Sequence, residues 1–250
     1  MKNKLGQNFL VDKETAEREV EHANITRKDV VLEIGPGNGI LTNILANKAK
    51  KVIAVEIDNK LVENLKKFLP DNVELLHSDI LKVDFETLPR FNKIVSNLPF
   101  QISSPVTFKI LDYDFDVAVL IYQKEFASRM IAKTGTKDYS RLSVGVYYKA
   151  FCEMIEIVPK TYFHPQPKVE SAMIKLNPRK HAPFEIVDEK FFFDLTRELF
   201  NHRRKKIKNT LQLLHKTDFV DVPFLDNRVE DLSPEQIGKL SNIVYKIVLK

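Results

Sequence analysis

Val30-Val31-Leu32-Glu33-Ile34-Gly35-Pro36-Gly37-Asn38-Gly39 decides how the rest of this chain is read. Its first half is almost wholly apolar, the pattern of a strand buried on both faces of a parallel sheet. Glycines follow at 35, 37 and 39, and Ile40, Leu41, Ile44 and Leu45 then recur at helical spacing. Strand, glycine turn and helix hold a nucleotide-like ligand at the C-terminal end of the strand, because backbone without side chains lets the ligand approach closely. The dinucleotide version of the turn asks for a small residue where Ile40 stands. Gly-x-Gly-x-Gly led by the acid Glu33 suits S-adenosylmethionine better than a nicotinamide cofactor.

Working outward, a second buried-strand pattern covers 51–58, and its acid Glu56 lies 21 residues after Gly35. Folds of this kind put a carboxylate there to accept charge-assisted bonds from both ribose hydroxyls. A third strand over Val73–His77 ends at Ser78-Asp79-Ile80, a fourth over Phe91–Ser96 ends at Asn97-Leu98-Pro99-Phe100, and a fifth covers 115–122. Helical segments separate them, which predicts an α/β fold with a doubly wound, mainly parallel sheet. Short strands at 154–158 and 172–176 finish it at seven strands as a hairpin-like pair. Ahead of the sheet, Asp12 caps a helix running to about Ala23. The polar stretch 133–139 reads as a mobile loop. After Pro178 and Pro183 the signal is only helical, so domains are expected at 1–180 and 181–250. Ser233-Pro234-Glu235-Gln236 is a helix start with N-cap, first-turn proline and capping box.

The 250-residue chain is 44% hydrophobic, enough for a real core. Its net charge of +5 is mild and matters only where it is concentrated. Cys152 is the sole cysteine and reads as a small buried hydrophobe. The six histidines form no ligand-spaced cluster, so no metal is expected. No apolar run approaches the roughly 20 residues that span a bilayer, and no signal-peptide pattern opens the chain. These features predict a cytoplasmic protein without a membrane segment.

Asn97-Leu98-Pro99-Phe100 stands at the end of the fourth strand, at the sheet's switch point. An amide, carbonyls fixed by a proline and an aromatic ring make a tool for an exocyclic amine. Adenine's amino nitrogen is a poor nucleophile because its lone pair is delocalised into the ring. The Asn97 oxygen and the Leu98 carbonyl are placed to accept its two N–H bonds and draw it toward tetrahedral geometry, while Phe100 stacks on the flipped base. No strong general base is needed, since the amine becomes acidic only once alkylated. Far along the chain, Arg203, Arg204, Lys205, Lys206 and Lys208 form a run without an interleaved acid. Such a run is usually a solvated helix face, but with an anionic substrate of duplex size it reads as a phosphate contact. Lys2 and Lys4 are expected to flank the cleft opposite it.

These motifs resemble the ribosomal small-subunit RNA adenine dimethyltransferase family, of the S-adenosylmethionine-dependent class. The likeness runs over nearly the whole chain, through Leu5-Gly-Gln-Asn-Phe-Leu10, Glu33–Gly39, Glu56-Ile-Asp58, Asn97–Pro105, Arg141-Leu-Ser143, Phe163–Ala172 and Arg203-Arg204-Lys205. It implies a Rossmann-like methyltransferase domain with a small all-helical RNA-binding domain. It also implies transfer of two methyl groups to N6 of each of two adjacent adenosines in the 3′-terminal hairpin of small-subunit ribosomal RNA. By motif, Gln7, Asn8, Leu10, Gly35, Gly37, Glu56, Ile57, Asp79, Ile80 and Asn97 hold the cofactor, with Asp79 accepting from its adenine amine and Ile80 packing on the ring. Phe163 joins Phe100 in clamping the target base, and Arg203, Arg204 and Lys205 meet the RNA. Phe100 departs from the tyrosine more usual there; stacking survives, a hydroxyl contact does not. The implied partner is the ribosomal RNA or pre-ribosomal small subunit, met by a monomer. Rival readings are a large-subunit adenine methyltransferase of the antibiotic-resistance type and a non-catalytic, RNA-binding assembly factor. Ser103-Ser104-Pro105 and the helical tail favour the small-subunit family, and the intact Glu56 and Asn97 favour catalysis.

Overall fold

The computed structural model describes residues 7–215 and 217–248; Lys2, Lys4 and Leu5 lie outside the described residues. In chain order the main elements are β1 (Phe9–Leu10), α1 (Lys13–His22), β2 (Val30–Ile34), α2 (Ile40–Lys48), β3 (Lys51–Glu56), α3 (Asn59–Leu65), β4 (Val73–His77) and β5 (Lys93–Asn97). They continue with α4 (Ser103–Leu111), β6 (Val117–Gln123), α5 (Lys124–Met130), α6 (Arg141–Lys149), β7 (Ala150–Val158), β8 (Phe163–His164) and β9 (Ser171–Pro178). Three helices close the chain: α7 (Glu189–Asn201), α8 (Ile207–Leu214) and α9 (Pro234–Val248).

Two compact units result, one made of the chain to Ala127 with Phe151–Pro178, the other of Ser128–Ala150 with the chain from Arg179 on. The first holds a seven-stranded sheet in the order β4-β3-β2-β5-β6-β9-β7. β4, β3, β2, β5 and β6 run parallel, and β9 returns antiparallel against β6. The chain steps outward from β2 to β3 and β4, then crosses to β5 on the other side of β2. That reversal opens a crevice at the strands' C-terminal ends. Away from the crevice, Val31, Val52, Val95 and Val119 form one core cluster with Ala16 and Val20 of α1 and Leu45 of α2, all buried. Asp12 caps α1 as its sequence implies, its Oδ2 accepting from Thr15 N–H at 2.9 Å.

β7 begins at Ala150, four residues before the expected 154, and follows directly on α6. It is the edge strand, and its open face carries the apolar Phe151 and Ile157 while its covered face carries Glu156, so apolar alternation does not mark it. Burial pushes the Cys152 thiol on this strand up to about 12, which keeps it protonated and inert.

The second unit is helical around Phe192, Leu195, Leu199, Leu211, Leu240 and Val244. The single boundary expected at 180 differs from the three crossings seen, because Tyr139, Val144 and Tyr148 belong to this second core. The 133–139 stretch, read as mobile, is tied down within the unit. Tyr139 donates its hydroxyl to Leu232 O at 2.9 Å, and Gly135 N–H donates to Glu230 O at 2.9 Å. The capping box of α9 forms as written, Ser233 N–H to Gln236 Oε1 at 2.9 Å and Gln236 N–H to Ser233 Oγ at 3.3 Å.

Gly238 sits where α9 meets Phe184, and a Cβ there would stand 2.4 Å from the ring. Gly238→Ala is therefore expected to destabilise the protein by about 1–3 kcal/mol through overpacking, despite alanine's better helix propensity. Denaturant melts check this: a variant as stable as wild type shows that Phe184 yields without cost.

Candidate cofactor and substrate site

The residues singled out from the sequence around the glycine turn converge on one cavity of about 380 Å³, wholly within the first unit. β2 and β5 pair only at Val31 with Lys93 and Leu32 with Ile94, then part. Past that point Gly35 N–H bonds to Val55 O at 2.8 Å on the β3 side, and Ser96 Oγ reaches Ile34 O at 2.5 Å across the gap. Gly35 has φ +73°, a conformation side-chain-bearing residues rarely adopt, and a Cβ on it would lie 3.3 Å from Pro99 Cγ. The glycine turn and the Asn97-Leu98-Pro99-Phe100 turn thus touch at Gly35.

Gln7, Asn8, Leu10, Gly37, Glu56, Ile57, Asp79, Ile80, Asn97, Leu98 and Phe100 all line this cavity. Glu56 is buried and its carboxylate is held by backbone: Oε1 accepts from Ile57 and Asp58 N–H at 2.9 Å each, and Oε2 from Gly37 N–H at 3.3 Å. Burial raises its pKa in spite of these three bonds. Asp79 accepts from Leu81 N–H at 3.0 Å, and Ile80 beside it is buried. The Asn97 amide is oriented by Asn8, to whose carbonyl Nδ2 donates at 3.4 Å. Its Oδ1 is buried inside the site with no hydrogen-bond partner. Leu98 N–H bonds to Ile121 O at 3.3 Å, which anchors the turn to β6.

Two side chains that the motifs did not assign also shape the cavity. Phe9 lies on Gly37, where a Cβ would come within 2.6 Å of its ring, so the N-terminal strand roofs the turn. An aromatic among the polar residues Gln7 and Asn8 was the available signal. Glu33 lines the cavity too, with 1% of its surface exposed and Oε2 without a partner.

Phe163 is placed differently from its expected role. It pairs with Leu10 across the β1–β8 ladder, is 3% exposed, and packs in the core with Leu10 and Met173 rather than lining the cavity. Arg203 is likewise engaged, in the second unit. Its guanidinium donates to Glu230 at 2.6 Å, to Lys137 O at 2.7 Å and to Thr136 O at 2.9 Å. Lys206 pairs with Asp226 at 3.0 Å. Arg204 and Lys205 line an open groove of mixed charge with Lys206, Arg228, Asn209 and Asn227 and the acids Asp226, Glu230 and Asp231.

The parallel sheet with its switch-point cavity, glycine turn and buried acids defines a Rossmann-like methyltransferase that uses S-adenosylmethionine. The cavity fits that cofactor: a glycine cradle for close approach, acceptors at Glu56 and Asp79, and orphaned oxygens on Glu33 and Asn97. The model of ribosomal RNA adenine dimethylase matches residues 1–246, and the chain belongs to that family. It is 47% identical to a probable ribosomal RNA small subunit methyltransferase A of Thermococcus onnurineus, over 94% of this chain and 89% of that one. Its identity to the Methanococcus aeolicus protein of the same name is 46%, over 99% and 97%. Among solved structures it resembles a dimethyladenosine transferase from Plasmodium falciparum, with TM-score 0.78, 29% identity, and 93% and 95% of the two chains covered. The 23S rRNA methyltransferase ErmE superposes less closely, with TM-score 0.67, 28% identity, and 97% and 100% covered.

Burial pushes the Glu33 carboxyl up to about 8, and the charge of Glu56 adds to the rise. The folded protein then keeps a proton that the unfolded chain has already released. That contribution to stability is complete below the ordinary carboxyl range near 4.5 and is lost as pH climbs toward about 8. Glu33→Gln is expected to flatten this part of the profile. Thermal melts of the cofactor-free protein across that window decide it, and a variant curve parallel to wild type rules the assignment out.

Proposed function

We propose that this protein dimethylates N6 of two adjacent adenosines in the 3′-terminal hairpin of small-subunit ribosomal RNA, as a monomer acting in the cytoplasm during ribosome biogenesis. The observation that carries the reading is Asn97 Oδ1, a buried acceptor without a partner in a cavity suited to S-adenosylmethionine. An unsatisfied buried acceptor costs about 1–3 kcal/mol, so it is kept for a donor that arrives with the substrate. The closer superposition on the dimethyladenosine transferase than on ErmE, at similar identity, supports the small-subunit assignment over the large-subunit one.

S-adenosylmethionine, when bound, supplies an electrophilic methyl group. Gly35, Gly37, Glu56 and Asp79 would hold it, with Ile57 and Ile80 covering its adenine ring. The chain's task is to make adenine's amine nucleophilic. Asn97 Oδ1 accepts one N–H of that amine and the Leu98 carbonyl the other, which turns the nitrogen lone pair out of conjugation. Both bonds strengthen as the nitrogen becomes tetrahedral and positively charged, so they act on the transition state more than on the ground state. Phe100 stacks on the flipped base. The amine's proton is acidic after alkylation and passes to water. Phe163, buried in the core, acts by holding β1 over the glycine turn.

RNA affinity is assigned to the second unit through Arg204, Lys205 and Lys208, whose side chains have no ion pair among the described residues. Arg203 braces the 133–139 loop behind them.

Asn97→Ala is expected to lower single-turnover methyl transfer to unmodified small subunits by roughly 100-fold or more, with a much smaller loss of RNA affinity. Nucleoside analysis after incubation with labelled S-adenosylmethionine reads both methylations. Transfer of both methyl groups at the wild-type rate would mean that the amide does not act on the amine.

Arg204→Ala with Lys205→Ala is expected to reduce the salt slope of RNA binding by about 0.7–0.9 for each lost phosphate contact. Arg203→Ala should instead lower stability and leave that slope nearly unchanged. The opposite pattern returns Arg203 to the contact surface and removes its neighbours.

A further inference from the structure

α1 turns Ala16, Val20 and Ala23 inward, and Glu19 lies on that same inner face, where helical periodicity calls for an apolar residue. It has no exposed surface, and neither carboxyl oxygen has a hydrogen-bond partner. The charged side chain that acts on it is another acid, Glu33, and the Ser96 backbone N–H is directed toward it. Facing Glu33 in turn are Thr42 on α2, fully buried with an unpartnered hydroxyl, and Glu56. No lysine, arginine or histidine among the described residues pairs with any of the three acids, and none of the acids belongs to a metal-holding group.

A buried carboxylate with no cation and a single backbone N–H directed toward it is far too costly to persist. Ionising Glu19 beside Glu33 would add repulsion to that cost. Burial, and then the charge of Glu33, hold the Glu19 carboxyl well above the ordinary range, so it stays a neutral acid. A neutral acid carries one O–H donor. Beside it, Glu33 lines the cavity, and the hydroxyl of Thr42 is the side-chain donor directed toward it.

We propose that Glu19 is a positioning residue, a neutral acid whose O–H is donated to Glu33 and fixes the carboxylate that meets the cationic end of the cofactor. The inference rests on the cofactor reading above. In the free protein Glu33 shares the protonated, uncharged state of the pair. When the ammonium-bearing end of S-adenosylmethionine comes to it, Glu33 releases its proton to solvent and becomes a carboxylate, while Glu19 keeps its own proton and stabilises the new charge. Net charge inside the site is thereby balanced without any basic side chain.

Calorimetric titration of S-adenosylmethionine into the full chain, in buffers of different ionisation enthalpy between about pH 6 and 8, tests this. Wild type should release up to one proton on binding, and its affinity should rise by up to about tenfold per pH unit below the Glu33 midpoint. Methylthioadenosine, which lacks the amino-acid end, should bind without proton release. Glu19→Gln keeps a neutral donor and should retain both the affinity and the pH profile. Glu19→Leu, apolar and of similar size, should bind about tenfold or more weakly, the loss of a hydrogen bond to a charged group. Its proton release should move to higher pH. If the leucine variant does not fold, carboxyl carbon-13 spectra of wild type and Glu19→Gln decide instead: the resonance lost in the variant must be one that does not titrate between about pH 6 and 8. Leucine and glutamine variants that bind alike, or a Glu19 resonance that titrates in that window, overturn the proposal. Absence of any S-adenosylmethionine binding in wild type would instead overturn the cofactor reading.

Discussion

The cavity depends on β2 and β5 ceasing to pair after Leu32 and Ile94. Beyond that point the two strands no longer satisfy each other, and each turns its backbone to another partner. Gly35 bonds toward β3, Leu98 toward β6, and Ser96 supplies a side-chain bridge across the gap. The opening is therefore held by hydrogen bonds on both sides rather than left as a packing defect. Its location follows from the order β3-β2-β5, in which consecutive crossovers leave β2 in opposite directions.

Into that opening the chain delivers acids and orphaned acceptors in place of the apolar groups a core of this depth would contain. Glu33 and Glu56 line it and are each at most 3% exposed, and Asn97 Oδ1 is buried without a partner. Glu56 is already held by three backbone N–H groups, whereas the unpartnered oxygens of Glu33 and Asn97 weaken the free protein and suit a ligand carrying donors or positive charge. S-adenosylmethionine carries both, and an adenine amine carries donors.

The helical unit solves a separate problem. A basic cluster on one helix end would repel itself and wander. Arg203 turns one of those charges inward onto Glu230 and the carbonyls of Thr136 and Lys137. This fixes the backbone on which Arg204 and Lys205 stand, and it converts a polar loop into an ordered support. Three charge-assisted bonds from one guanidinium give a defined geometry that a lysine's point charge would not.

By itself the sequence determined the sheet's parallel strands and the glycine turn, and it singled out Glu56, Asp79 and Asn97, which the fold gathers at one cavity, because each stands in a local pattern of a few consecutive residues. The Ser233 capping box and the Asp12 cap were legible for the same reason. Only the tertiary structure decided that Phe163 is buried under β1, that Arg203 is a brace, and that Ser128–Ala150 packs with the C-terminal helices. An aromatic, an arginine or an amphipathic helix looks alike in sequence whether its partner is a ligand, solvent or another part of the chain. The meeting of Glu19 with Glu33 belongs to the same class. Helical spacing places Glu19 on the inner face of α1, but that the group awaiting it there is another acid follows from how α1 lies on the sheet.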